Sequence, residues 1–87
     1  ARLYRRGRAR DHAAATLRDA TLARLRGRLG LPPDAGPAVV SDVVAARTRR
    51  QPADVAAILA GPAPPDDAAL VRLADMLDAL EQEVLTR

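Results

Sequence analysis

Beyond Gly7, glycine and proline interrupt this 87-residue chain in only three places. Gly27 and Gly30 lead into LPPDAGP over 31–37, Pro52 stands alone, and GPAPP fills 61–65. Proline cannot donate a backbone hydrogen bond and clashes with a preceding helical turn, so each break ends or starts an element. Four uninterrupted stretches result, and in none does apolar and polar character alternate with the period of a strand. The chain is therefore read as all-α: a small four-helix bundle, with helices at about 2–30, 37–49, 52–60 and 66–85, forming a single helical domain over 1–87.

The first stretch is the longest. On a helical wheel Leu3, Ala14, Leu17, Thr21, Leu22, Leu25 and Leu29 share one arc, while Arg2, Arg5, Arg8, Arg24 and Arg26 lie opposite. Gly30 is placed to close this helix in the left-handed conformation. At 1.5 Å per residue the helix is about 40 Å long, more than a small bundle needs, so its first two turns are expected to project beyond the core. Pro37 suits the first position of the second helix. That helix offers Val39, Val40, Val43 and Val44 as its apolar side and needs burial to persist, because valine is a poor helix former. The third is short and presents Val55, Ile58 and Leu59 before Gly61. Asp66 or Asp67 can cap the fourth. There Leu70, Leu73, Leu77, Leu80 and Val84 repeat at three and four residues, a heptad seam too short for an independent coiled coil. This seam is expected to pack the last helix antiparallel to the first, or to form a homodimer. Glu83 and Arg87 are spaced for an ion pair along the helix.

Only 22 residues are large and apolar, with neither Phe nor Trp among them, so the core is small and gains from association or tethering. Without cysteine there is no disulfide framework and no thiol ligand or nucleophile. Ala, Arg, Gly and Pro fill 46 positions while Lys, Asn and Phe are absent, a bias that a GC-rich bacterial genome explains. Arginine in place of lysine therefore says little by itself about phosphate or carboxylate recognition. Charge is polarised along the chain: residues 1–31 carry nine Arg and two Asp, net +7, and residues 66–87 carry six acids and two Arg, net −4. No apolar run is long enough to span a bilayer or serve as a signal peptide. The chain opens on Ala1 rather than Met, as an excised piece of a longer protein would.

Residues able to carry chemistry are sparse. His12 lies among arginines on the polar side of the first helix, and Ser41 sits mid-helix without a base at a telling spacing, so no nucleophile–base pair is read. Asp75, Asp78 and Glu81 share a helix face and could hold Mg²⁺, but such sites usually borrow phosphate or water as well, and a solvated face or one turned to the arginines is the reading taken. No catalytic residue, metal site or cofactor is expected, and the chain is not expected to be an enzyme. The stretch 43–59 has the spacing of a helix-turn-helix, with Ala45, Arg49, Val55 and Ile58 at its usual register and Arg49 where glycine is customary. Its would-be reading helix exposes Ala53, Asp54, Ala56, Ala57 and Ala60, which cannot donate to base edges. Arg47, Arg49 and Arg50 could touch only the phosphate backbone, and the lone Tyr4 makes no stacking platform. A nucleic-acid-binding domain is the alternative reading.

Arg2, Arg5, Arg6, Arg8 and Arg10 crowd into nine residues without an acid. They suit a solvated face that partly pairs with the last helix, a juxtamembrane segment on the cytoplasmic side, or a patch for anionic lipid. A helix that overshoots its bundle and leads with arginine fits the juxtamembrane reading best, and these five residues are the candidate membrane-proximal or partner surface.

LYRRGRARDHAAATLRDATLARLRGRLGLP over 3–32, followed by VAARTRRQPADVAAILAGPAPPDDAALVRLADMLDALEQEV over 44–84, resembles the C-terminal tail of an uncharacterised actinobacterial membrane-protein family. That family carries a glutamine-amidotransferase-like domain between two transmembrane helices, and the tail follows the second. The recognisable pieces are the Arg/His/Ala-rich first helix, PADVAAILAG and the closing PPDDAALVRLADMLDALEQEV. Many tails of the family have glycine near Arg49, where this chain departs from the pattern. The resemblance implies a cytoplasmic helical module tied to the membrane through an upstream transmembrane helix. It supplies no catalytic residues and implies a protein partner, with a chaperone-like ATPase suggested by gene neighbourhood. The expected role is a non-enzymatic protein-interaction or regulatory module.

Overall fold

The structure, a computed structural model, describes residues 2–86, with side chains from Gly7 to Thr86. Its four helices are α1 (Arg2–Leu29), α2 (Pro37–Thr48), α3 (Pro52–Ala60) and α4 (Asp67–Thr86), and no strand occurs among the described residues.

The stops work as their residues require. Gly30 takes φ +67°; the Leu31 N–H reaches the Arg26 carbonyl at 2.9 Å and the Gly30 N–H the Gly27 carbonyl at 3.4 Å. These two bonds make a Schellman closure of α1. Pro37 and Pro52 open α2 and α3 at positions where an N–H would have no helical partner. Between those helices Arg49 adopts φ 59° and ψ 27°, the left-handed geometry that glycine would take without a Cβ penalty. At the end of α3 a Cβ on Gly61 would collide with the Ala57 carbonyl oxygen. Asp66 Oδ1 accepts the Ala69 N–H at 2.7 Å and so caps α4.

All four helices feed one core. α1 contributes Ala14, Leu22 and Leu25, α2 Val40, Val44 and Ala45, α3 Val55, Ile58 and Leu59, and α4 Leu73, Leu77, Leu80 and Val84. The heptad seam of α4 is thus buried inside this chain, with Leu70 half-buried at its start. Two expected core positions are exposed, while Leu29 and Val43 are half-buried. Leu17 is 36% exposed at the edge of the α1 arc, and Val39 is 49% exposed because α2 turns Val40, Ser41, Val44, Ala45 and Thr48 inward instead. Leu3 lies outside the described side chains.

The direction of the last helix differs from the expectation. Arg10 meets Asp67 and Arg24 meets Glu81, both pairs 57 residues apart. A constant offset at two levels means that α4 runs parallel to α1, not antiparallel. The reason lies between them. α2 and α3 are short, and together they form a helical hairpin that does not match the length of α1. The end of α3 reaches only the level of Arg18, and the stiff Gly61–Asp66 linker then carries the chain to the level of Arg10. From there α4 climbs alongside α1. At 1.5 Å per residue the 28-residue α1 is about 42 Å long, and it sets the 44 Å long dimension of the molecule. The turns of α1 before Ala9 continue past the start of α4.

Candidate interaction surface

Among the described side chains of α1, Arg10, Arg18, Arg24 and Arg26 act as staples. Arg10 donates to the Pro64 carbonyl at 3.3 Å and to Asp67 Oδ1 at 3.1 Å, fixing the linker and the first turn of α4. Arg18 donates to the carbonyls of Gly61 at 2.8 Å, Ile58 at 3.0 Å, Pro62 at 3.3 Å and Ala57 at 3.4 Å. Helix ends leave their last carbonyls without partners, and here one guanidinium from another helix supplies them. Its partial burial pushes the Arg18 pKa down, without removing the charge from so strong a base. Arg26 bonds the Ala35 carbonyl at 2.7 Å and ties the connector back to α1.

Arg24 grips Glu81 through both Nε and Nη2, the shortest contact being 2.7 Å. The hydrogen bond from Arg24 is the main reason the Glu81 carboxyl lies below its ordinary 4.5; burial opposes it, and the charges of Arg24 and Arg28 and a bond from Thr21 reinforce it. The same bond raises the Arg24 pKa. At the opposite flank Arg50 and Glu83 form an ion pair at 2.5 Å, a charge contact rather than a well-aligned hydrogen bond. The expected Glu83–Arg87 pair falls on Arg87, outside the described residues.

Of the five arginines singled out in the sequence, Arg2, Arg5 and Arg6 lie outside the described side chains. Arg8 is exposed on α1, and Arg10 is drawn into the contact with α4. Asp75 and Asp78 are exposed, whereas Glu81 is committed to Arg24, so the three carboxylates do not converge. No cluster of potential metal ligands occurs among the described residues. His12 is exposed. Ser41 is buried in α2, its hydroxyl without a hydrogen-bond partner among the described residues.

One surface feature was not singled out in the sequence. Where α3, the proline linker and the first half of α4 meet, they leave an open groove of about 300 Å³. Ile58, Pro62, Leu73 and Met76 supply apolar wall, with Arg18 and Arg72 also lining it. Met76 is 44% exposed. The signal was present in GPAPP and in Met76, but nothing in periodicity says that a linker will fold over a helix flank.

No known protein family matches this chain, and no solved structure matches it. It is 49% identical over 83 residues to an uncharacterized membrane protein of Mycobacterium tuberculosis. That match takes in 95% of this chain but only 22% of the relative, so the chain spans about a fifth of the protein it resembles. The membrane-protein part of the resemblance is met by this match. Among the described residues, no helix is long and apolar enough to cross a membrane.

Proposed function

We propose that this chain is a non-enzymatic protein-interaction module standing at the cytoplasmic face of a membrane protein that has a glutamine-amidotransferase-like domain elsewhere in its length. The observation that carries the reading is the geometry of α1. Its first turns continue past the start of α4, and they hold Arg2, Arg5, Arg6 and Arg8 in a chain similar to a membrane protein. Arginine excess close to a membrane-spanning segment marks the cytoplasmic side, and a helix leading away from lipid would hold the rest of the fold clear of it. The compact part then offers surfaces to a protein partner. A nucleic-acid role is less well supported: α3 turns Ala53, Ala57 and Ala60 outward, and Arg50 is occupied by Glu83.

The test is topological. A single cysteine replacing Ala9 in the full membrane protein is probed with a membrane-impermeant maleimide. Labelling only after the cells are opened is the expected result; labelling of intact cells would place this module on the other side and end the proposal.

A further inference from the structure

We infer that the groove between α3, the proline linker and α4 is a docking site for an extended peptide segment that presents one large apolar side chain beside a carboxylate. This rests on the reading of the chain as an interaction module and names the chemistry of its partner.

The acids of α4 are not all turned one way: Glu83 pairs with Arg50 and Asp75 is exposed to solvent. Asp67 and Glu81 face α1 and are taken up by Arg10 and Arg24, and Asp78 adds its field to the same side. Arg72 lies on the other flank and lines the groove. Among the described residues it makes no ion pair. The second groove arginine, Arg18, spends its donors on the carbonyls of Ala57, Ile58, Gly61 and Pro62. The groove therefore has an apolar floor, a fixed positive charge beneath and an uncommitted guanidinium at its rim. A carboxylate is the group this rim attracts, and a planar guanidinium can take both of its oxygens.

Size favours a side chain over a small-molecule ligand. About 300 Å³ stands at the bottom of the range for small-molecule sites, and an open trench lets a backbone lie along it. Met76, half out in solvent, is flexible and polarizable and can close over an inserted side chain. The linker prolines are already stiff, so little further ordering opposes binding.

The experiment selects a phage-displayed library of 12-residue random peptides on the 87-residue chain, with counter-selection on its Arg72→Glu variant. Enriched peptides are then measured by fluorescence polarisation and by ¹⁵N chemical-shift mapping. We expect Leu, Met or Phe next to Asp or Glu in the enriched sequences, and shift changes at Ile58, Ala63, Leu73 and Met76. The Kd should rise at least tenfold for Arg72→Glu and for Met76→Asp, and less than threefold for Arg72→Lys. Val39→Asp, an exposed apolar position on α2, should leave it unchanged. All three positions are exposed, and far-UV circular dichroism checks that the four variants remain helical. No enrichment over the counter-selected variant, or binding indifferent to Arg72→Glu, overturns the proposal. So does saturable binding of dodecanoate without any peptide, which would make the groove a fatty-acid site. Peptides that map instead to the flank between α1 and α4 would sink the groove yet leave an interaction module standing, and the cysteine-labelling result is independent of all these outcomes.

Discussion

Arg49 holds the turn between α2 and α3 in a left-handed conformation that costs an L-residue about 1–2 kcal/mol. Its neighbours decide the geometry: α2 must end at Thr48 and α3 begin at Pro52, with Val44 and Val55 both buried. The strain is thus offset by packing on either side. Replacing Arg49 with glycine removes the Cβ conflict and enlarges the freedom of the unfolded chain, two effects of opposite sign. The expected net is a gain of about 0.5–1 kcal/mol, seen as a higher urea midpoint at unchanged slope. A lower midpoint would mean that the arginine side chain contributes more to the fold than its strained backbone costs. The sequence marked this position as the one that breaks the helix-turn-helix pattern, but only the structure shows the arginine taking glycine's backbone angles. Ser41 was equally opaque: it is buried because α2 turns the face with Val40, Val44 and Ala45 inward, a choice that the two valine pairs flanking Ser41 and Asp42 do not specify.

At the scale of elements, the arginines of α1 were easy to find and hard to interpret. A wheel separates an apolar arc from a cationic side, and that separation suggests a solvated face. The guanidinium, however, sits at the end of a long chain and reaches partners well off its own axis. Arg18 reaches the carbonyl end of α3 in this way, and Arg26 reaches Ala35. Arg18→Met keeps the apolar stem and deletes the donors. Hydrogen bonds from a charged group contribute about 1.5–3 kcal/mol when well formed, and the exposed setting of several of these places the expected loss near the lower end. Hydrogen exchange should locate it: amides of Val55–Ala60 exchange faster in the variant, while those of Leu73–Leu80 in α4 slow or quicken only with global stability. Uniform acceleration across all helices would show that Arg18 holds the whole fold rather than the end of one helix.

The whole molecule is held by its core and trimmed by charge between α1 and α4. Glu81 carries the sign of that charge effect. Its folded pKa lies below the ordinary 4.5, so its stabilising contribution is complete above that value and is lost as pH falls through the lower folded one. Thermal melts of the wild type should therefore lose stability more steeply as pH falls below 4.5 than melts of Glu81→Gln, which has no proton to gain there. Coincident acid limbs for the two proteins would show that the Arg24–Glu81 contact adds nothing in solution. Raised salt should narrow the difference at neutral pH, because Arg24 is more than half exposed and its pair is open to screening.

What the sequence determined by itself is local. Proline and glycine place the three breaks between the four helices, because their backbone constraints act without reference to the rest of the chain. The three- and four-residue spacing of leucines named the buried face of α4 for the same reason: periodicity is a property of one helix. Tertiary structure alone decided how the helices are arranged. It made α4 parallel to α1, turned Val39 outward, paired Glu83 with Arg50 and folded the proline linker into one wall of a groove. Those outcomes depend on how far a short hairpin and a stiff linker carry the chain before it returns, and that distance is written in no single segment.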